Sequence, residues 1–165
     1  MANKNQAIGL RPHGELIRAR KYIAGSTVYP GDPVSIATDG KVDPSVTVPL
    51  VGVALSYASG DGVEVMVADH PDQMFEVQAA GSAAIVQADI QGNFNLSLGT
   101  PSTLYKRSSA IMDADTADNT VATLAVKLLA IGDEITQEEN ANYCDVIVKI
   151  NNHVQNGGTG TAGLA

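Results

Sequence analysis

Apolar and polar positions alternate most clearly over residues 63–78, VEVMVADHPDQMFEVQ. Val63, Val65 and Val67 alternate with Glu64 and Met66, the period-two pattern of a half-buried strand. Met74 to Gln78 resumes the alternation, with Phe75 and Val77 on one face and Glu76 and Gln78 on the other. Between the two runs, Pro71 cannot donate to a ladder and pushes His70 away from helical conformation. The pattern predicts a hairpin of two strands, 63–68 and 74–78. Asp69, Pro71, Asp72 and Phe75 are its structural residues.

The flanking sequence continues in short pieces. Residues 46–55 (VTVPLVGVAL) are apolar on both faces, which predicts an interior strand over 48–55, with Pro49 and Gly52 marking a bulge or a sheet margin. Tyr29-Pro30-Gly31-Asp32 is a turn, Pro33–Ala37 a short strand, and Asp39-Gly40 a hairpin turn after it. Further strands are predicted at 94–98, 108–112, 123–131 and 145–150. Ser82–Gln91 reads as one short helix ended by Gly92-Asn93. With 16 Gly, 7 Pro, no Trp and 4% aromatics, turns are many and the core rests on Val, Ile, Leu and Ala. The expected fold is all-β: a sandwich or barrel of about eight to ten short strands, with a jelly roll among the options. An extended N-terminal arm and at most one or two short helices complete it.

At 165 residues the chain is long enough for a single core. No apolar run approaches the ~20 residues of a membrane span, and the N-terminus has no apolar stretch of a signal peptide. The single cysteine, Cys144, opens the strand at 145–150 and reads as a small hydrophobe. Charge is unevenly spread. Residues 1–25 hold Lys4, Arg11, Arg18, Arg20 and Lys21 against Glu15 alone, for +4; the remainder holds five bases and seventeen acids, for −12. The acidic body is a poor surface for nucleic acid, whose phosphates it repels, and no direct nucleic-acid partner is expected. The division expected is a basic arm or edge segment (1–25), one β domain (26–153) and a flexible Gly/Thr/Ala-rich tail (154–165). Arg11, Arg18, Arg20 and Lys21, with Ile8 and Leu10 as apolar anchors, are the candidate residues for docking on a neighbouring subunit or a larger surface. Docking on the protein's own acidic face gives the same charge pattern, and so does an edge strand blunted by charge.

Catalytic constellations are weak. His13, His70 and His153 sit beside Pro or Asn in turn-like contexts, and no G-x-S-x-G elbow accompanies them. Asp113, Asp115 and Asp118 open like a calcium loop, but Asp118 and Leu124 occupy the places where an EF-hand needs Gly and Glu. No phosphate-binding glycine loop occurs. The expectation is a non-enzyme without cofactor or metal.

Ordered landmarks add a resemblance. They run Ile8-Gly9-Leu10-Arg11-Pro12, Tyr22-Ile23, Tyr29-Pro30-Gly31-Asp32-Pro33-Val34, Val51-Gly52-Val53, the stretch Val67–Gln78, Ala88–Asn93 and finally Val146–His153. In this order, across residues 7–153, the chain resembles the capsid cement (decoration) proteins of tailed bacteriophages; the tail past His153 lies outside the pattern. The resemblance implies a structural virion protein made in the host cytoplasm. It would sit on the outer surface of the head, with the major capsid protein and itself as partners (a homotrimer first, a dimer second) and no membrane. The alternative is a carbohydrate- or host-surface-binding β module of a phage fibre or tail. Scarce aromatics disfavour it, because sugars stack on exposed rings.

Overall fold

The computed structural model describes residues 4–118, 120–132 and 142–163. The protein is all-β, with eleven strands and three single-turn 3-10 helices among the described residues. The strands are β1 (Arg11–Pro12), β2 (Ala19–Ile23), β3 (Pro33–Ile36), β4 (Val42–Pro44), β5 (Gly52–Ala54), β6 (Glu64–Ala68), β7 (Met74–Ala80), β8 (Asn93–Ser97), β9 (Ile111–Asp113), β10 (Val126–Ile131) and β11 (Asp145–Ile150).

They form two sheets. One follows the order β1-β7-β11-β10-β8-β9, and a further parallel pairing of β9 with β7 (Ala79 opposite Met112) closes β7, β11, β10, β8 and β9 into a five-stranded barrel. β7 makes this closure because it is the longest strand: residues 74–78 pair with β11, while its last two residues reach β9. The second sheet follows the order β2-β6-β5-β3-β4 and curls until Ala24, just past β2, bridges Val42 of β4.

Each sheet encloses its own apolar cluster. The barrel holds Phe75, Phe94, Met112, Leu128, Val146 and Val148, all essentially inaccessible to solvent. The second sheet packs Val28, Val34, Val42, Val51, Val65 and Val67 with small alanines, and its buried residues include nothing larger than valine. Two valine-wide walls fill the space between tightly curled strands, whereas the barrel needs its two phenylalanines.

The expected hairpin at 63–78 is corrected by this division. β6 pairs with β2 and β5 in the second sheet, and β7 pairs with β11, β1 and β9 in the other. Val65 and Val67 enter one core, Phe75 and Val77 the other. A hairpin would aim all four into a single core, so residues 69–73 form a corner between sheets. The predicted helix at 82–91 is likewise only a 3-10 turn, Gln87–Asp89, because Ile85 alone of its apolar residues is buried. The predicted strand 48–55 shortens to β5, with Leu50 bridging His153 outside it. The strand predicted at 108–112 lies at 111–113, and that at 123–131 begins at Val126. The Asp39-Gly40 turn does join β3 to β4, with Gly40 at φ 81°.

Backbone approach is closest at Gly52, where a Cβ would lie 2.1 Å from the carbonyl oxygen of Ala68. Gly60 has open space around it and an ordinary φ. Gly52→Ala should therefore destabilise the protein by about 1–3 kcal/mol through overpacking, while Gly60→Ala stays within about 0.5 kcal/mol of wild type. Urea unfolding midpoints of the two variants check this.

Candidate functional site

The corner between the sheets concentrates buried polar side chains. Asp69, the first residue after β6, is fully buried with both carboxylate oxygens engaged. Arg18 donates from Nε to Oδ1 at 2.7 Å and from Nη2 to the Asp69 carbonyl at 3.0 Å. The same Nη2 lies 2.7 Å from Oε1 of Gln155, which ties the C-terminal turn to the corner. Tyr22 donates to Oδ2 at 2.7 Å, and the Arg20 guanidinium approaches that oxygen at 3.6 Å. Burial first, and then the bond to Asp69, pushes the Tyr22 hydroxyl up to about 12. A carboxylate removed from water needs compensating partners, and two arginines with a phenol supply them.

Three more polar side chains of this stretch hold the N-terminal segment. Buried Gln73 accepts from the Ile17 amide at 2.8 Å and donates to the carbonyls of Glu15 and Met74. Glu76 meets Arg11, with His13 at 3.9 Å. Gln78 accepts from the Gln6 amide and donates to the Lys4 carbonyl at 2.8 Å. Residues 4–22 thus run antiparallel to residues 78–69, fastened at each step. Asp72 serves a different neighbour: Lys149 lies 2.6 Å away and holds its carboxyl below the usual range. Pro71 is half-buried at the turn, and Phe75 points into the barrel core.

The structure therefore places the six candidate docking residues as follows. Arg18 and Arg20 meet Asp69, Arg11 meets Glu76, and Lys21 meets Glu64 across exposed strands. Leu10 is buried, its amide bonded to the Gly31 carbonyl at 2.9 Å. Ile8 and Leu10, with Arg11, line an open cleft of about 310 Å³ whose other walls include Pro30, Leu55 and Arg107. Of the segment 1–25, β1 joins the barrel sheet and β2 forms an edge of the second sheet. The tail is held by buried amides rather than by apolar burial. Asn151 exchanges bonds with Thr161, Asn93 donates to the Thr161 carbonyl, and Asn152 holds the carbonyls of Ala122 and Leu124.

Gln73, Gln78, Asn93, Asn151 and Gln155 carry no signal in the sequence that separates them from surface residues. Spacing does place Gln78 in register behind Phe75 and Val77, but its partners lie some seventy residues away. Other candidates resolve into local roles. Asp113 caps the turn at Asp115, whose carboxylate accepts from Ser82 and Ala83. Asp118 accepts from Thr120. Burial pushes the Cys144 thiol up to about 11, which keeps it protonated and unreactive. Among the described residues, no group of three or more His, Cys, Asp or Glu could hold a metal ion.

Removing the carboxylate strands Arg18 and Tyr22 at a buried joint, so Asp69→Ala should cost about 3 kcal/mol or more. Lys21→Ala, which breaks only the exposed pair with Glu64, should cost no more than about 1 kcal/mol. Chemical denaturation of both variants provides the comparison.

His153 gives a pH dependence. It is buried, its Nδ1 accepts from the Gln155 amide at 3.0 Å, and burial lowers its pKa below the ordinary 6.5. The unfolded chain then binds the proton first, so stability is intact above about pH 6.5 and falls as pH drops below it. His153→Asn keeps a capping acceptor without the titration, and should remove this component from stability measured between pH 7 and 5.

No family model matches the chain, and no curated protein matches it with significant similarity.

Proposed function

We propose that this protein is a capsid cement protein, which binds the outer surface of a tailed-bacteriophage head and stabilises the lattice of the major capsid protein without catalysis. One observation carries the reading: the landmarks that give the resemblance fall on structural joints. Gly9-Leu10 lies against Gly31, with no room for a Cβ on Gly9. Asp69–Gln78 fastens the N-terminal segment, and Asn151-Asn152-His153 holds both the tail and Leu50. An enzyme signature gathers reactive groups around a substrate cavity. This one gathers buried amides, a neutralised carboxylate and tight glycines, which is what a load-resisting accessory protein requires.

The closed barrel and the curled second sheet also suit such a role, since a shell accessory must stay folded without covalent staples. Weak individual contacts suffice for retention when many copies occupy one lattice, because neighbouring sites raise the effective concentration. Self-association on a local symmetry axis, as a trimer first and a dimer second, fits the same arrangement.

The measurement that checks this is the copy number of the protein in purified particles. A cement protein is present in hundreds of copies per head, scaling with the major capsid protein. A value near a dozen or below would assign it instead to a fibre or tail.

A further inference from the structure

Residues 102–107 form a loop closed at its base by reciprocal backbone bonds between Ser102 and Arg107, at 2.9 and 3.3 Å. At its tip, Leu104 is 79% exposed and Tyr105 69%, the most exposed large apolar side chains among the described residues. Lys106 follows, its ammonium 4.9 Å from the centre of the Tyr57 ring, and the Arg107 guanidinium stands 5.2 Å from the Tyr105 ring. Among the described residues neither cation has a carboxylate within ion-pairing distance, whereas Arg11, Arg18, Arg20, Lys21, Lys41 and Lys149 each have one. On a chain of net charge −8, two cations without carboxylates beside an exposed Leu-Tyr pair stand out.

Arg107 also borders the cleft of about 310 Å³, whose floor and walls are mainly apolar, from Ile8, Leu10, Pro12, Pro30 and Leu55. Arg11 stands on its rim with roughly half of its side chain exposed (46%). Arg107 belongs to both loop and cleft, which joins them into one surface: an apolar hollow with Arg11 and Arg107 among its lining residues, next to an apolar tip.

We propose that this surface docks an acidic protein segment in which an aliphatic side chain is flanked by carboxylates. The aliphatic group enters the cleft, and the carboxylates meet Arg107, Lys106 and the exposed side of Arg11. Both cations are exposed but already positioned against an aromatic ring, so less side-chain freedom is lost when they pair. Electrostatic complementarity then selects the partner and speeds encounter. A second copy of the chain fits less well, because inserting one loop into another cleft sets Lys106 and Arg107 against Arg11 and Arg107. Nucleic acid is disfavoured by the acidic body and by the apolar cleft. The inference rests on the cement reading only in assigning the acidic segment to the shell.

The test is a titration of the isotopically labelled full chain, followed by NMR, with a synthetic peptide of alternating leucine and glutamate and with its glutamine counterpart. The expected result is a set of amide shifts confined to residues 8–12, 54–55 and 102–107 for the glutamate peptide, lost with the glutamine one. The shifts should also vanish in the double variants Leu104→Ser/Tyr105→Ser and Lys106→Glu/Arg107→Glu. Both should fold as wild type, because all four side chains lie on the surface. Absence of localised shifts, or equal shifts with the glutamine peptide, overturns the proposal. So do larger shifts at this surface with a single-stranded oligonucleotide, or loop shifts that depend on protein concentration alone. On shells assembled from the major capsid protein, each double variant should be retained about tenfold less well than wild type. Equal retention of all three overturns the inference and leaves the cement reading standing. Failure of wild type itself to bind overturns the cement reading, and the peptide titration then decides the inference.

Discussion

The fold depends on how residues 69–73 turn a chain that must feed two apolar cores. β6 delivers Val65 and Val67 to one core, and β7 delivers Phe75 and Val77 to the other. Only five residues separate the strands. A corner that tight places Asp69 where water cannot reach it, and an unpaired carboxylate there would be costly by several kcal/mol. Arg18, Arg20 and Tyr22 remove that cost, and in doing so they fix the position of β2 and the segment before it. The N-terminal residues are thereby part of the body, although most of their contacts are polar.

This explains what the sequence could and could not reveal. Period-two alternation marked 63–68, 74–78, 94–98 and 145–150 correctly, because a half-buried strand in a curled sheet must alternate. It could not show that 63–68 and 74–78 face different cores, since alternation reports one buried face and not which core that face meets. The apparent helix at 82–91 arose from small residues that satisfy helical spacing without being buried. Long-range polar pairing was the least visible layer. The +4 segment could be read as charge seeking an acidic surface, and the surface it meets in the fold is the protein's own, at Asp69, Glu76 and Glu64. No local pattern distinguishes a buried glutamine such as Gln73 from a solvated one.

Buried amides play the same part at the opposite end of the chain. Asn93, Asn151 and Asn152 each donate to backbone carbonyls that no strand ladder satisfies, and so convert an irregular crossing of residues 121–124 and 161 into fixed structure. A chain with few aromatics cannot order such segments by apolar area. It orders them by satisfying backbone groups one at a time, which demands geometry more than composition.

Closure of the barrel through the parallel contact of β7 with β9 has a consequence for crowding. Strands that end in open edges template the pairing of neighbouring molecules, and the hazard grows as copies are brought together. Here five strands exchange their ladder bonds around a ring, and the second sheet is drawn nearly shut by the bridge from Ala24 to Val42. Of the edge strands among the described residues, β1, β2 and β4, the longest is β2, and it presents Arg20 and Lys21, whose charge resists a strand from another copy. Closed ladders and a charged edge leave fewer backbone groups free to pair with a strand of another copy, so crowding these molecules together carries less risk of strand-to-strand association.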